Sequence, residues 1–178
     1  MKNGVDEVRR MEVVPHREEW AIRFLEEKKK LKDIFGALAL HIYHIGSTAI
    51  PNIHAKPVID IMIEVSDIHK VDQLNEMMED QGYEAKGENG IANRRYFQKG
   101  GDNRTHHVHV FEKGNDEIER HLAFREYMIA HPEEAKRYSE LKQQLSKEFL
   151  KDPIGYTDGK DAFIKEIDRK AKRFRNGN

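Results

Sequence analysis

Residues 41–65, HIYHIGSTAIPNIHAKPVIDIMIEV, set a polar turn between two apolar runs. The second run reads as a strand by its alternation. Ile59, Ile61, Ile63 and Val65 take one face, and Val58, Asp60, Met62 and Glu64 take the other. The first run, LALHIYHI, is also extended and stops at Gly46. Asp60 interrupts an otherwise apolar strand, where a carboxylate without a partner would be penalised or have its pKa raised. It therefore calls for a cation: Lys56 or Arg95 in a structural pair, or a bound metal ion. Glu64 lies roughly 13 Å from Asp60 along the same face, too far to share one ion, and reads as a strand-end surface charge.

The turn Gly46-Ser47-Thr48 has two readings. A glycine without Cβ lets backbone N–H groups approach a phosphate, with two hydroxyls as further donors. Alternatively, serine and threonine satisfy local backbone groups in an ordinary tight turn.

Working outward, residues 16–38 place Trp20, Phe24, Leu31, Ile34 and Phe35 at helical spacings, with glutamates early and lysines late as a helix dipole prefers. After the strand at 56–65, Ser66-Asp67 caps a helix through VDQLNEMMEDQ, which ends at Gly82. A short strand near Tyr83 follows, then a β-hairpin of RRYFQK and HHVHVFE joined by GGDN. From Asn115 the pattern is helical: EIERHLAFREYMIAH, then a proline-initiated helix from PEEAKRYSELK, then a last helix from Gly159 toward Phe174, with DPIGYTDG as the break. The terminal RNGN reads as frayed. This order predicts an α+β, or mixed α/β, architecture: a small mixed sheet with packed helices and a helical C-terminal subregion. One domain spans 1–178, with a core of about 12–114 and C-terminal helices at about 115–175.

Thirty-one lysines and arginines stand against 32 aspartates and glutamates. The near-neutral field argues against a binder of long nucleic acid, while a small anionic ligand needs only a local site. There is no cysteine, which removes disulfides, thiolate metal sites and a cysteine nucleophile. The first residues, MKNGVDEVRRMEVV, are charged and lack the apolar stretch of a signal peptide, and no apolar run is long enough to span a membrane. A cytoplasmic protein is expected; the sequence is silent on oligomeric state.

His107 and His109 alternate around Val108, so both imidazoles leave one face of a strand, as two metal ligands, an acid–base pair or two cross-strand hydrogen-bonding groups would. His41, His44, His54 and His106 make no metal signature and read as structural. Arg94 and Arg95 point to opposite faces, so only one can reach a site on the sheet.

Taken together, HIGSTAIPNIHAKPVIDIMIEV, RRYF, HHVHVF, LAFREYMIAHPEEAKRYSELK and YTDGKDAFI resemble the GrpB family, in order and over nearly the whole chain. That family is similar to the nucleotidyltransferase superfamily and also occurs fused to dephospho-CoA kinase. The resemblance implies a nucleotidyltransferase-like sheet in which Gly46, Ser47 and Thr48 hold phosphate and Asp60 holds a divalent metal ion, magnesium or manganese, for in-line nucleotidyl transfer to a small acceptor. Met62 stands where the superfamily has a second carboxylate, and its thioether is a poor ligand for a hard ion. The third carboxylate position corresponds to the H-x-H strand. There the resemblance implies His109 as a metal ligand, with His107 and His109 as catalytic groups, and zinc becomes an alternative ion. The matching positions Lys56, Arg95, Arg125, Lys142 and Lys160 imply a basic set for a nucleotide or phosphorylated small molecule, and Tyr156 is expected to pack the last loop. The alternatives are a non-catalytic nucleotide-binding module, linked to coenzyme A metabolism, and a metal-dependent phosphohydrolase.

Overall fold

The computed structural model describes residues 12–177. The reading of the first eleven residues as a charged, leaderless start lies outside them. Helix α1 (Glu19–Phe35) buries a single stripe, Trp20, Phe24, Glu27, Leu31 and Phe35, the repeat of about 3.6 that the sequence carries. The one charge in that stripe is held from the sheet: Glu27 Oε1 accepts from Tyr83 Oη and Lys99 Nζ, each at 2.7 Å.

Five strands follow in one sheet: β1 (Ala39–Ile45), β2 (Ile59–Val65), β3 (Tyr83–Ala85), β4 (Arg94–Lys99) and β5 (His106–Glu112). Their spatial order is β1-β2-β5-β4-β3, with β2 and β5 parallel and every other pair antiparallel. The mixed sheet and the β4–β5 hairpin are those expected. The alternation in β2 sorts two cores. Ile59, Ile61, Ile63 and Val65 join α1, Val108 and Val110 on one face, while Met62 joins Ile45, Phe111, Ile118 and Leu122 on the other. Each such fully buried side chain contributes about 1.5–3 kcal/mol.

The segment after Asp67 departs from the single helix expected. His69–Leu74 is a 3₁₀ turn, and only Asn75–Asp80 (α2) is α-helical. Asp67 Oδ1 accepts from the His69 N–H at 2.9 Å, a side-chain turn that tightens the entry.

Three helices cover the second face: α3 (Asp116–Ala130), α4 (Pro132–Glu148) and α5 (Pro153–Arg175). Helix α5 begins six residues before Gly159, so DPIGYTDG opens the helix and does not break it. Asp152 caps it by accepting from the Gly155 N–H at 3.0 Å, and Pro153 sits in its first turn. The two glycines that suggested a break serve packing. A Cβ on Gly155 would meet the Phe149 ring at 2.5 Å, and one on Gly159 would meet Leu145 Cδ2 at 2.6 Å. Nor does the chain fray at Arg175, which closes α5 and pairs with Glu119 at 2.9 Å and Glu126 at 3.1 Å. Among the described residues no helix is long and apolar enough to cross a membrane.

Candidate functional site

The site lies where β1 and β2 meet the C-terminal helices. Gly46 leaves β1 with φ 72° and ψ −170°, and the chain enters a 3₁₀ turn at Ser47–Ala49. A Cβ on Gly46 would lie 2.8 Å from Asp60 Oδ2, so glycine is what lets the turn close on the carboxylate. Thr48 is buried and spends its hydroxyl on His44 Nε2 at 2.9 Å. Burial raises the Tyr138 phenol to about 12, with the Ser47 hydroxyl opposing.

Parallel pairing of β2 and β5 puts Asp60 opposite His107 and Met62 opposite His109. Asp60 Oδ1 thereby faces His107 Nδ1 at 3.1 Å and His109 Nε2 at 3.4 Å. Burial pushes the Asp60 carboxyl up, but the hydrogen bonds from His107 and His109 outweigh it and hold the group well below the usual carboxylate range. Asp60 is thus ionised, and its side chain keeps 29% exposure toward the cleft. Donor atoms of Asp60, His107 and His109 lie within 4.8 Å of one another. The outer ring nitrogens meet arginines: His107 Nε2 faces Arg104 Nη1 at 3.3 Å, and His109 Nδ1 faces Arg94 Nη1 at 3.4 Å.

A cleft of about 230 Å³ opens over Asp60, lined also by Ser47, Lys56, Lys142, Tyr156 and Lys160. Its cations stand on aromatic rings. Lys142 Nζ is 4.4 Å from the Tyr138 ring centroid, Lys160 Nζ 4.6 Å from that of Tyr156, and Lys56 Nζ 4.2 Å from the same Tyr156 ring. Lys142 is 2% exposed and its Nζ has no hydrogen-bond partner. Burial, with Lys160 and Lys56 adding repulsion, depresses its pKa well below that of an ordinary lysine. Burial also lowers Lys160, with Asp60 opposing.

Of the residues singled out in the sequence, Ser47, Thr48, Lys56, Asp60, His107, Lys142 and Lys160 line this cleft, Gly46 shapes it, and His109 supports Asp60 from beside it. Two others are elsewhere. Arg95 lies opposite Val110 in β4 and pairs on the far face with Asp72 at 2.7 Å. Arg94 is the one on the site face, because β4 alternates. Arg125, on α3, donates to the His44 carbonyl at 2.9 Å and ties α3 to β1. Tyr156 is fully buried in the first turn of α5, and not in a loop, and serves as a floor for two lysines. The sequence does carry a signal for this floor: Tyr138 with Lys142 and Tyr156 with Lys160 are both Tyr-x-x-x-Lys, one helical turn apart.

Together these features define an α+β domain whose mixed sheet and C-terminal helices enclose a lysine-rich cleft around one ionised carboxylate. The family profile described as "GrpB protein" matches residues 10–170, and the chain belongs to that family. It is 53% identical over 169 residues to UPF0157 protein YqkA of Bacillus subtilis strain 168, covering 95% of this chain and 49% of that protein. Glutamate-rich protein GrpB of Alkalihalophilus pseudofirmus is 36% identical over 160 residues, covering 87% of this chain and 92% of that one. The crystal structure of conserved protein GrpB from Enterococcus faecalis superposes with a TM-score of 0.89 at 44% identity, covering 92% of this chain and 99% of that chain. This chain spans about half the length of the Bacillus subtilis relative.

Proposed function

We propose that the chain binds a nucleoside triphosphate with a divalent metal ion and transfers its nucleotidyl group to a small acceptor. The observation that carries this reading is the unpartnered, buried Lys142 Nζ in the same cleft as Asp60. A buried amine without an acceptor costs free energy in the empty protein, and an anionic ligand removes that cost. Lys56 and Lys160 would take further phosphate oxygens as charge-assisted donors, and the Ser47 hydroxyl lies beside them. The ammonium groups stand over the rings of Tyr138 and Tyr156, whose faces attract cations.

A hard divalent ion fits Asp60. Its Oδ1 is occupied by the imidazoles, while Oδ2 faces Gly46, the residue that leaves room there. Magnesium is commonly held by one or two carboxylates plus substrate phosphates and waters. When bound, the ion supplies charge neutralisation across the phosphates and activation of the acceptor. The residues themselves hold the phosphate chain, keep Asp60 ionised and confine the reacting groups between sheet and helices. A second reading, a nucleotide-binding module without catalysis, is favoured by Met62. It occupies the position of a second carboxylate and is fully buried between Ile45 and Phe111, so no second ligand is supplied there.

Thermal-shift and calorimetric titrations with nucleoside triphosphates, each with magnesium, manganese or zinc, test the proposal on wild type, Asp60→Asn and Lys142→Met. A metal-dependent response to a triphosphate that both substitutions weaken supports the site. Pyrophosphate release with a small acceptor then separates transfer from binding alone. No response to any triphosphate would overturn it.

A further inference from the structure

Two arginines stand behind the histidines of this site, and guanidinium groups only donate hydrogen bonds. Arg94 Nη1 points at His109 Nδ1 and Arg104 Nη1 at His107 Nε2. Each outer ring nitrogen must therefore be an acceptor, without a proton. A neutral imidazole carries its one N–H on the other nitrogen, here His109 Nε2 and His107 Nδ1, and both of these face Asp60 Oδ1. The carboxylate accepts, so each chain, arginine to imidazole to carboxylate, is consistent from end to end.

The arginines are held in place by other acceptors. Arg94 is 6% exposed and donates through Nε to the Glu88 carbonyl at 3.1 Å and through Nη2 to the Asn89 carbonyl at 2.9 Å. Arg104 donates through Nε to the Gly101 carbonyl at 3.0 Å and through Nη1 to Gln98 Oε1 at 2.7 Å. Neither guanidinium can turn away from its histidine without leaving these partners.

This is the reverse of a metal-binding histidine. Such a residue gives its lone pair to the ion and donates its outer N–H to a carboxylate, carbonyl or water. Here the outer partners are donors and the inner lone pairs are absent. We propose that Arg94 and Arg104 set the metal preference of the site: they fix His107 and His109 as N–H donors to Asp60, withhold both imidazoles from a borderline ion such as zinc, and leave Asp60 Oδ2 to a hard ion. His107 and His109 are then positioning residues for Asp60 and not ligands. The metal part of this inference rests on the proposed function, in which Asp60 takes an ion; the tautomer part does not.

Long-range ¹H–¹⁵N correlation spectra of the ligand-free protein read the tautomers directly. The expected result is the Nδ1–H form for His107 and the Nε2–H form for His109. The opposite tautomer at either residue, or both nitrogens protonated, overturns the inference without touching the phosphate-binding reading. Zinc titration by calorimetry reads the consequence. His107→Gln and His109→Gln each keep an N–H donor available to Asp60 and should change zinc affinity by no more than they change magnesium affinity, because neither imidazole ligates the ion. The double variant Arg94→Met, Arg104→Met should bind zinc about 10–100-fold more tightly than wild type, the usual range for a change in the groups behind metal ligands. Wild-type zinc binding that either histidine substitution abolishes, or no gain in a folded double variant, would overturn it. If the double variant does not fold, the wild-type spectra and the histidine variants still decide.

Discussion

Gly46 and Asp60 are packed so closely that a methyl group on the glycine would sit 2.8 Å from the carboxylate oxygen Oδ2. The φ of 72° with ψ near 180° is a region that side chains avoid. Gly46→Ala is therefore expected to lower stability by about 1–3 kcal/mol, measured by urea unfolding. It should also abolish any triphosphate-dependent thermal shift, because Asp60 Oδ2 must move.

Lys142→Met keeps the side-chain volume and removes a buried amine that has no acceptor. The ligand-free protein should gain about 1–3 kcal/mol, while affinity for a triphosphate should fall about 10–100-fold, the value of a charged hydrogen bond of about 1.5–3 kcal/mol. Because burial holds the Lys142 pKa well below the ordinary value, pairing it with phosphate draws in a proton. Affinity should then weaken as pH rises, and calorimetry in buffers of different ionisation enthalpy should register proton uptake.

His44 and His121 are lowered from 6.5 to about 4, both chiefly by burial; Arg125 adds for His44, Arg120 and His109 for His121, and Asp60 opposes for both. Their native forms stay neutral where the unfolded chain takes protons. Stability is complete above pH 6.5 and is lost as pH falls from about 6.5 toward 4. The slope is at most about 1.4 kcal/mol per pH unit for each histidine. Urea midpoints between pH 7.5 and 4.5 should show this fall, and His121→Gln should flatten it.

Arg94 and Arg95 are neighbours with opposite expectations. The Arg95 pair with Asp72, whose side chain is 51% exposed, is worth about 0–1 kcal/mol, so Arg95→Ala should leave ligand affinity unchanged. Arg94→Ala removes a buried guanidinium with three acceptors and should cost about 2–4 kcal/mol. A scan of both variants by urea unfolding and triphosphate titration separates them.

Much of the site was legible in local sequence because strands alternate and helices repeat. Asp60 stood out as a charge in an apolar strand, His107 and His109 as a same-face pair, and the Gly46 turn as a chain reversal between two strands. Arg95 enters the expected basic set through its matching family position, and parity alone names two faces without saying which one faces the site; that needs the register of β4 on β5. The start of α5 at Pro153 is not legible locally, because Gly155 and Gly159 signal a break in isolation. Their small size answers Phe149 and Leu145, residues of the preceding helix and its end.

The sequence by itself determined the order of strands and helices, apart from the 3₁₀ turn at His69–Leu74 and the start of α5, together with the apolar face of β2 and membership of the GrpB family, because these depend on periodicity and on motifs read along the chain. The tertiary structure alone decided that Asp60 sits between two imidazoles backed by arginines, and that Lys56, Lys142 and Lys160 share one cleft with it. Those relations join residues separated by dozens of positions. Strand register and helix packing set them, and they are energies of the whole fold rather than preferences of any one segment.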